Sequence, residues 1–229
     1  MLALQKRDSP QRSEIRIGPY AGLFLTMITK ISGNPSLCNS YFIGNYGEDC
    51  ILVDPGDNSN GRLDRFIDNH FKNLSAILLT HGHYDHILGL LNLKHDAPVY
   101  VGIEDERCLS DSKYNLYPSL SIDSIRIVPL YGGETLKFGS IEIKVIATPF
   151  HTEGSVCYYL KQDNALLSGD TLFHLSYGRT DFPGGNPLKI EDSLRKLVTL
   201  PKETKIYPGH GESTTLGNEL RFNPGFSFL

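Results

Sequence analysis

The chain reads Thr80-His81-Gly82-His83-Tyr84-Asp85-His86 directly after a short apolar run at residues 76–79. The run predicts a buried strand, and four of the seven residues after it carry side chains that bind metals. Histidines two residues apart in an extended loop point to one side, and the Asp-His pair follows as the chain turns towards a helix. One such loop could supply ligands to two adjacent metals, although an isolated His-X-His segment is more often a surface loop.

Further candidate ligands recur at the ends of later β-rich runs. They lie in three segments rich in Gly, Pro and Thr: Thr148-Pro149-Phe150-His151-Thr152, Leu167-Ser168-Gly169-Asp170-Thr171 and Tyr207-Pro208-Gly209-His210-Gly211. Imidazole and carboxylate ligands suit Zn²⁺, with Fe or Mn also possible, and a site without thiolates is typical of catalytic rather than closed structural centres. The sequence therefore predicts a catalytic metal site.

The hydrophobic pattern predicts a two-layer β protein with helices outside. Turn-bounded β-rich runs predict strands at residues 27–31, 39–43, 50–53, 76–79, 98–101, 124–128, 135–138, 141–147, 155–160, 165–167 and 205–207. Helical spacing predicts helices at residues 62–70, 86–93, 104–109 and 190–200. Because each half combines strands with helices, a two-sheet sandwich covered by helices fits better than a single parallel sheet.

The ends and the cysteines of the chain indicate the compartment. Residues 1–26 are polar and interrupted by prolines, so we expect an N-terminal extension ahead of one domain at residues 27–229. The start lacks the apolar core of a signal peptide, and no apolar run spans a bilayer. The four cysteines form no CxxC pair and are expected to be free thiols. These features predict a cytoplasmic protein, with an organelle-targeting start as the alternative.

The overall charge excludes an obvious polyanion partner. The formal net charge is −4, and no Lys/Arg run is present. A mildly acidic chain offers no electrostatic footprint for nucleic acid. We therefore expect neither a nucleic-acid nor a membrane partner; the sequence does not indicate an oligomeric state.

The four motifs together resemble the metallo-β-lactamase superfamily. They read THGHYDH (80–86), TPFHTEGS (148–155), SGDTLF (168–173) and YPGHG (207–211), in the order typical of that superfamily. The resemblance implies an αββα sandwich, with two mixed β-sheets flanked by helices, and two divalent metal ions, most simply zinc. It also implies a division of the ligands, with one metal held by His81, His83 and His151, the other by Asp85, His86 and His210, and Asp170 bridging both.

The resemblance also implies a mechanism. Two cations roughly 3.5–4 Å apart share a water, lower its pKa and present it as a bridging hydroxide. That nucleophile attacks a carbonyl carbon, and a metal stabilises the developing oxyanion. Asp85 is the residue expected to orient the hydroxide or to carry its proton, in addition to being a ligand, so no Ser or Cys nucleophile is required.

Within the superfamily, the chain resembles the single-domain branch of glyoxalase II-like thioester hydrolases. The resemblance lies in residues 168–173, 178–185 and 215–226. It implies a small-molecule substrate, S-lactoylglutathione or a related acyl thioester, with Arg179 as a cationic substrate contact. Two departures make glutathione recognition an open point: the C-terminal helical domain of the two-domain enzymes is missing, and Glu212 stands where glutathione-binding relatives have a tyrosine.

Two other hypotheses about the function remain open. A persulfide dioxygenase shares the Gly178–Phe182 string GRTDF and uses one Fe(II), for which the matching ligands would be His81, His151 and Asp170. A non-catalytic scaffold with this fold would be expected to have lost ligands, whereas this chain retains the full set. Lactonase, β-lactamase and RNase Z-like activities are less favoured.

Several chemically capable residues are interpreted as structural. His70, His95 and His174 lie outside the motifs, and only His174 is a candidate to face the cleft. Asp54 is expected to anchor a turn rather than to bind metal, although the family places such an aspartate behind the ligand loop. Asp181 is expected to pair with Arg179 as a buttress.

Overall fold

A computed structural model describes residues 25–32, 36–122 and 125–227 of the chain. The first sheet has six strands in the order β1-β2-β3-β4-β5-β6. Their bounds are β1 Ile28–Ser32, β2 Asn39–Ile43, β3 Cys50–Val53, β4 Leu74–Leu78, β5 Val99–Gly102 and β6 Ile127–Leu130. The first three strands pair antiparallel, and β3 to β6 pair parallel, so the sheet is mixed.

The second sheet is also mixed and has six strands in the order β14-β13-β10-β9-β8-β7. Strands β11 and β12 form a separate small hairpin. The bounds are β7 Thr135–Phe138, β8 Ile141–Ala147, β9 Val156–Leu160, β10 Ala165–Gly169, β11 Leu172–Phe173, β12 Ser176–Tyr177, β13 Lys205–Pro208 and β14 Thr214–Thr215. Only the β10–β13 pair is parallel.

Helices cover the outer faces of both sheets. The α-helices are α1 Arg62–His70, α2 Tyr84–Ile87, α3 Ser112–Asn115, α4 Ile190–Val198 and α5 Leu216–Phe222. Four 3₁₀ segments complete the described helical structure, at Leu88–Leu91, Ile103–Leu109, Pro187–Lys189 and Pro224–Phe226. The result is the predicted sandwich of two mixed sheets flanked by helices.

The hydrophobic core has three layers, because successive side chains of a strand point to opposite faces of its sheet. Along β3, Cys50 and Leu52 point to the outer layer beneath α1, and Ile51 and Val53 point to the layer between the sheets. A third cluster fills the space between the second sheet and α4 with α5. Because side chains alternate with a period of two, each central strand is buried on both faces, and the sheets are fixed relative to each other.

The predicted helix at residues 86–93 is wrong in type and extent. The structure has the short α2 followed directly by the 3₁₀ segment Leu88–Leu91. Gly89 donates its amide to the Pro55 carbonyl, and a Cβ on Gly89 would lie 2.3 Å from that oxygen. This long-range contact holds the backbone at Gly89 close to Pro55, and the chain after α2 therefore forms the tighter 3₁₀ turn. The predicted helix at 104–109 is likewise a 3₁₀ segment. Residue 124 of the predicted strand at 124–128 lies outside the described residues, and among the described ones the strand runs over Ile127–Leu130.

The remaining predictions concern the N-terminal extension, the cysteines and membrane-spanning helices. Residues 1–24 of the expected 1–26 extension lie outside the described residues, so the boundary stays a prediction. Thr26 donates its amide to Asp163 at 2.7 Å, and Met27 accepts from the Gly44 amide. All four cysteines are free, as expected, and the structure shows in addition that all four are buried. Within the described residues, no helix combines the length and apolar character that crossing a membrane requires.

Candidate metal centre

The site residues predicted from sequence meet at one edge of the sandwich. The loop with the first two histidines follows β4 of the first sheet, and α2 then carries Asp85 and His86. His151, Asp170 and His210 follow β8, β10 and β13 of the second sheet. The two sheets therefore contribute opposite walls of a single cluster. All seven expected ligands belong to groups whose ligand atoms lie within 4.8 Å of one another.

Three imidazoles form the first group. His83 Nδ1 lies 3.1 Å from His81 Nε2 and 3.0 Å from His151 Nε2. His151 Nδ1 lies 2.8 Å from the Arg179 carbonyl oxygen, and because a carbonyl only accepts, that nitrogen carries the hydrogen. The Nε2 atom of His151 is then a bare acceptor that points at the other two rings.

The tautomer of His81 follows by the same logic. The Thr80 hydroxyl donates to the Asp54 carboxylate at 2.6 Å and lies 3.2 Å from His81 Nδ1, so it accepts the hydrogen on Nδ1. His81 Nε2 is therefore also a lone-pair donor. Both lone pairs point at His83 Nδ1, which in a neutral ring can share at most one hydrogen with them, whereas a cation is bound by imidazole lone pairs from several sides at once. The first group fits a metal.

The second group combines two imidazoles with a carboxylate. His210 Nε2 lies 3.0 Å from Asp85 Oδ2, and His86 Nε2 lies 3.8 Å from the same oxygen. His86 is fully buried, yet its Nε2 makes no well-aligned hydrogen bond, and the carboxylate oxygen of Asp170 near it is 3.3 Å away. Because buried polar atoms are nearly always paired, this orphaned nitrogen marks a position suited to an ion.

Asp170 lies between the two groups. Its Oδ2 is 3.5 Å from His151 Nε2, and its Oδ1 is 3.3 Å from His86 Nε2 and 3.8 Å from His210 Nε2. Oδ1 is a second buried atom without a hydrogen-bond partner. One carboxylate therefore directs one oxygen towards each group, which is the geometry that a bridging ligand requires.

The electrostatics of the cluster favour deprotonated ligands around the first group. Burial, reinforced by the neighbouring His151, lowers the pKa of His83 to about 3. Burial and the adjacent His86 and His83 rings lower the pKa of His81 well below its usual range. Neutral imidazoles are the form that binds metals.

Carboxylates dominate the second group. Burial opposes ionisation of Asp170, but His86 nevertheless holds the pKa of this carboxyl well below its usual range. Burial also opposes a charge on His86, while the neighbouring Cys38 and the carboxylates of Asp54 and Asp85 raise the pKa of the ring. Of these groups, the carboxylates carry the negative charge at neutral pH, because burial raises the pKa of the Cys38 thiol. The negative charge that attracts a proton to this ring would attract a divalent cation in the same way.

Asp54 fixes the ligand loop from behind. This buried residue accepts from the Thr80 amide at 2.7 Å through Oδ1. Its Oδ2 accepts from the Thr80 hydroxyl at 2.6 Å and from His86 Nδ1 at 2.9 Å. The backbone of Asp54 has a positive φ of 50°, a conformation that non-glycine residues adopt mainly at constrained sites. Asp54 thus orients His86 instead of only anchoring a turn.

Asp105 is a supporting residue that the sequence did not reveal. Its buried carboxylate accepts from the Gly82 amide at 2.9 Å, the Thr152 hydroxyl at 2.6 Å and the Gly154 amide at 2.8 Å. These bonds join the loop before His83 to the loop after His151. Three consecutive acids, residues 104–106, carry no local signal that singles out the middle one.

The loop with His210 is held by β2. Asn39 donates its side-chain amide to the Pro208 carbonyl at 3.0 Å, and the Tyr41 hydroxyl donates to the same oxygen at 2.7 Å. Gly209 must be a glycine, because a Cβ there would lie 2.3 Å from Asp170 Oδ1. The first sheet therefore positions a ligand of the second sheet.

A cleft of about 660 Å³ opens above the cluster. Beyond the ligands, its wall consists of Tyr84, Leu116, Phe173, Tyr177, Arg179 and Phe182. Tyr84 also packs on Tyr117, with ring centroids 5.4 Å apart. Arg179, the expected substrate contact, lines this cleft and pairs with Asp181, and its role stays a prediction. The wall is mostly aromatic and apolar.

The three remaining histidines lie away from the cluster. His70 Nδ1 bonds the Phe66 carbonyl, and His95 pairs with Asp68 at 3.2 Å. His174 lines a separate shallow pocket beside Asn218, and it is not among the residues that line the cleft. The structural interpretation of these residues is therefore supported.

Comparison with known proteins agrees with this geometry. The family model of the metallo-beta-lactamase superfamily matches residues 33–210. A probable metallo-hydrolase of Bacillus subtilis is 35% identical over 203 residues, covering 84% of this chain and 95% of that protein. The hydroxyacylglutathione hydrolase GloC of Haemophilus influenzae is 32% identical over 185 residues, covering 77% and 87%.

Solved structures show the same fold. The BLEG-1 B3 metallo-beta-lactamase superposes with a TM-score of 0.80 at 31% identity, covering 88% of this chain and all of that chain. TTHA1623 in a di-iron-bound form gives 0.72 at 32%, with the same coverage. ETHE1 from Myxococcus xanthus gives 0.67 at 28%, covering 86% and 83%. The chain therefore belongs to the metallo-beta-lactamase superfamily.

Proposed function

We propose that the protein is a dinuclear-metal-dependent hydrolase that cleaves acyl thioesters, as glyoxalase II-like enzymes do. His81, His83 and His151 would hold one metal, Asp85, His86 and His210 would hold the other, and Asp170, whose two oxygens face the two groups, would be shared between them. The observation that carries the proposal is the placement of Asp170, with one carboxylate oxygen towards each group.

The family supports the general activity, a metal-dependent hydrolase. Superfamily membership and the His/Asp cluster together support divalent metals. Zinc is the proposed metal because the donor set is imidazole and carboxylate, and iron is the alternative because TTHA1623 is di-iron-bound. Bound at this cluster, two divalent cations supply Lewis acidity and a water of lowered pKa.

The residues of the chain account for the rest of the reaction. Asp85 is on the cleft wall, its side chain is 16% exposed, and Oδ2 lies close to His210. We assign to this carboxylate the orientation of the attacking water and the uptake of its proton. A C–O bond then forms at the acyl carbon, the C–S bond breaks, and the proton passes to the departing thiolate. The products are a carboxylic acid and a thiol.

The cleft wall is compatible with a thioester. Phe173, Tyr177 and Phe182 offer apolar faces beside the cluster, and such faces exclude water from the reacting carbon. The 32% identity to a hydroxyacylglutathione hydrolase supports this substrate class. Persulfide oxidation, which the resemblance of residues 178–182 to persulfide dioxygenases implies, is the alternative to be tested.

The test is thiol release from S-lactoylglutathione and from simpler acyl thioesters by purified, metal-loaded protein. We expect release that a chelator abolishes. His83→Ala should lose activity by at least about 10³-fold and lower the metal content. The matched control is His95→Ala, which removes an imidazole that pairs with Asp68 away from the cleft and should retain wild-type turnover.

The outcomes separate the candidates. Chelator-insensitive release, or an active His83→Ala variant, would contradict the metal assignment. If no thioester is cleaved, oxygen uptake with glutathione persulfide and an iron assay would decide whether the dioxygenase alternative holds. If the purified protein binds no metal at all, the hypothesis of a non-catalytic scaffold is preferred over both the thioesterase and the dioxygenase hypotheses.

A further inference from the structure

The mouth of the cleft carries a tightly paired cation. Arg179 donates from Nε to Asp181 Oδ1 and from Nη2 to Asp181 Oδ2, each at 2.6 Å. The guanidinium carbon also lies 4.1 Å from the centroid of the Phe182 ring. A bidentate pair stacked on an aromatic face holds the guanidinium in one orientation. The bond from Arg179 lowers the pKa of Asp181 to about 2, so the partner is ionised at neutral pH.

The backbone of this segment is fixed against the metal cluster. The Arg179 carbonyl accepts the His151 Nδ1 hydrogen at 2.8 Å. The preceding Gly178 makes a close approach, because a Cβ there would lie 2.0 Å from the Asp170 carbonyl oxygen. The Phe182 ring meets His83 edge-on, with centroids 5.7 Å apart. The charged pair therefore lies at a set place beside the reacting centre.

Arg179 is the cationic residue of the cleft wall, within the part of the chain that the structure describes. Its planar face rests on Phe182, and the Asp181 carboxylate occupies the edge with two parallel donors. That edge, made by Nε and Nη2, is one of the two with which a guanidinium can bind a substrate carboxylate in a bidentate manner. Asp181 therefore competes for this edge with any carboxylate on a bound thiol, and its negative charge offsets the charge of Arg179.

We propose that Asp181 is a positioning residue that sets the charge preference of the cleft. By occupying Arg179, it removes the preference for carboxylate-bearing substrates, so thioesters whose thiol half carries no carboxylate are accepted equally well. The inference rests on the proposed thioester hydrolase and deepens it by naming the substrate class. The apolar wall then makes the main contact with the substrate.

The experiment uses a matched pair of substrates, S-lactoylglutathione and the same compound with both carboxylates esterified. We expect the wild type to show KM values for the two within about twofold. Asp181→Asn should lower KM for the free acid about threefold to tenfold, because one charge-assisted contact at an exposed site becomes available. Neither kcat for the acid nor KM for the ester should change. Adding Arg179→Gln to this variant should cancel the gain.

A control separates local from general charge effects. Glu142→Gln removes an exposed carboxylate that pairs with Lys137 on the second sheet, and it should leave the ratio of the two KM values unchanged. The proposal is overturned if the wild type already prefers the acid by more than about threefold. It is also overturned if Asp181→Asn changes both substrates equally, which is the signature of a purely structural role, or if the double variant keeps the gain.

A binding measurement distinguishes failure of this inference from failure of the proposed function. If neither thioester is hydrolysed, the thioesterase assignment fails. Calorimetric titration of metal-loaded protein with S-hexylglutathione, a thioether that cannot be hydrolysed, and with its diester still reports the charge preference. The same threefold to tenfold shift in Kd on Asp181→Asn is expected. If S-hexylglutathione binds neither the wild type nor the Asp181→Asn variant, the inference is overturned, because the freed Arg179 then contacts no carboxylate of the ligand.

Discussion

Replacing Asp105 by asparagine removes one charge and keeps the shape of the side chain. The carboxylate accepts three hydrogen bonds, from the Gly82 and Gly154 amides and the Thr152 hydroxyl. An asparagine retains one acceptor oxygen, and its NH₂ group must face at least one buried donor. An unsatisfied buried donor costs about 1–3 kcal/mol.

The effect of burial on the Asp105 carboxylate places the expected loss of stability in Asp105→Asn near the lower end of this range. Burial raises the pKa of Asp105, so the charged carboxylate is itself penalised, and a neutral amide relieves part of that penalty. We expect Asp105→Asn to lower the free energy of unfolding by about 1–2 kcal/mol, which corresponds to roughly 3–6 °C in Tm for a chain of this size. Asp105→Ala removes the acceptor of all three donors and leaves the Gly82 and Gly154 amides unpaired, while the Thr152 hydroxyl still has Ser155 Oγ at 2.6 Å; we expect it to cost about 3–5 kcal/mol.

Urea unfolding of chelator-treated protein measures this cost apart from any metal effect, with the requirement that the m-value stays constant. In metal-loaded protein, loosening both ligand loops should weaken metal binding about 10–100-fold. Glu106→Gln is the control, since this neighbouring acid is exposed and should change stability by less than about 0.5 kcal/mol. Wild-type stability and metal affinity in Asp105→Asn, or an equal loss in the control, would refute the reasoning.

Two further predictions follow from crowding and from burial. Gly209→Ala places a methyl group 2.3 Å from Asp170 Oδ1 and should reduce bound metal from the proposed two equivalents to one or fewer by elemental analysis. Gly211→Ala, where nothing lies within 4 Å, should keep the metal content of the wild type despite its positive φ. Burial raises the pKa of Cys38 and Cys157 to about 11 and of Cys50 to about 12, and also raises that of Cys108. Alkylation at pH 8 should therefore be at least about 100-fold slower in the native protein than in urea, where four thiols react; fast labelling of the native chain would contradict the burial.

The candidate ligands could be predicted from sequence because their signal is local. Each lies one to a few residues beyond an apolar run, in a segment whose Gly and Pro residues end the strand. Strand ends of a sandwich converge at its edges, so such segments meet without any knowledge of the pairing. The structure places His81, Asp170 and His210 together in this way, although they belong to different sheets.

Elements fixed by long-range contacts could not be predicted. The 3₁₀ segment after α2 depends on the contact of Gly89 with Pro55, which lies more than thirty residues earlier. Helix α5 and the β11–β12 hairpin are short, and they are joined by the buried Glu219, which accepts from the Leu175 amide at 2.7 Å. Neither the pairing nor the burial of that carboxylate leaves a periodic trace in the sequence.

The supporting carboxylates illustrate what the strand order adds. Strand β4 leads to the first two histidines, and its neighbours in the sheet are β3 and β5, both parallel to it. Asp54 directly follows β3, and Asp105 lies three residues after β5, so both carboxylates emerge at the edge where the histidine loop begins. Each side of that loop therefore receives a buried acceptor, one that orients His86 and one that holds the Gly82 amide. Once β3, β4 and β5 are known to be adjacent and parallel, an acid at either strand end becomes a candidate support for the metal ligands, and sequence position alone does not supply that adjacency.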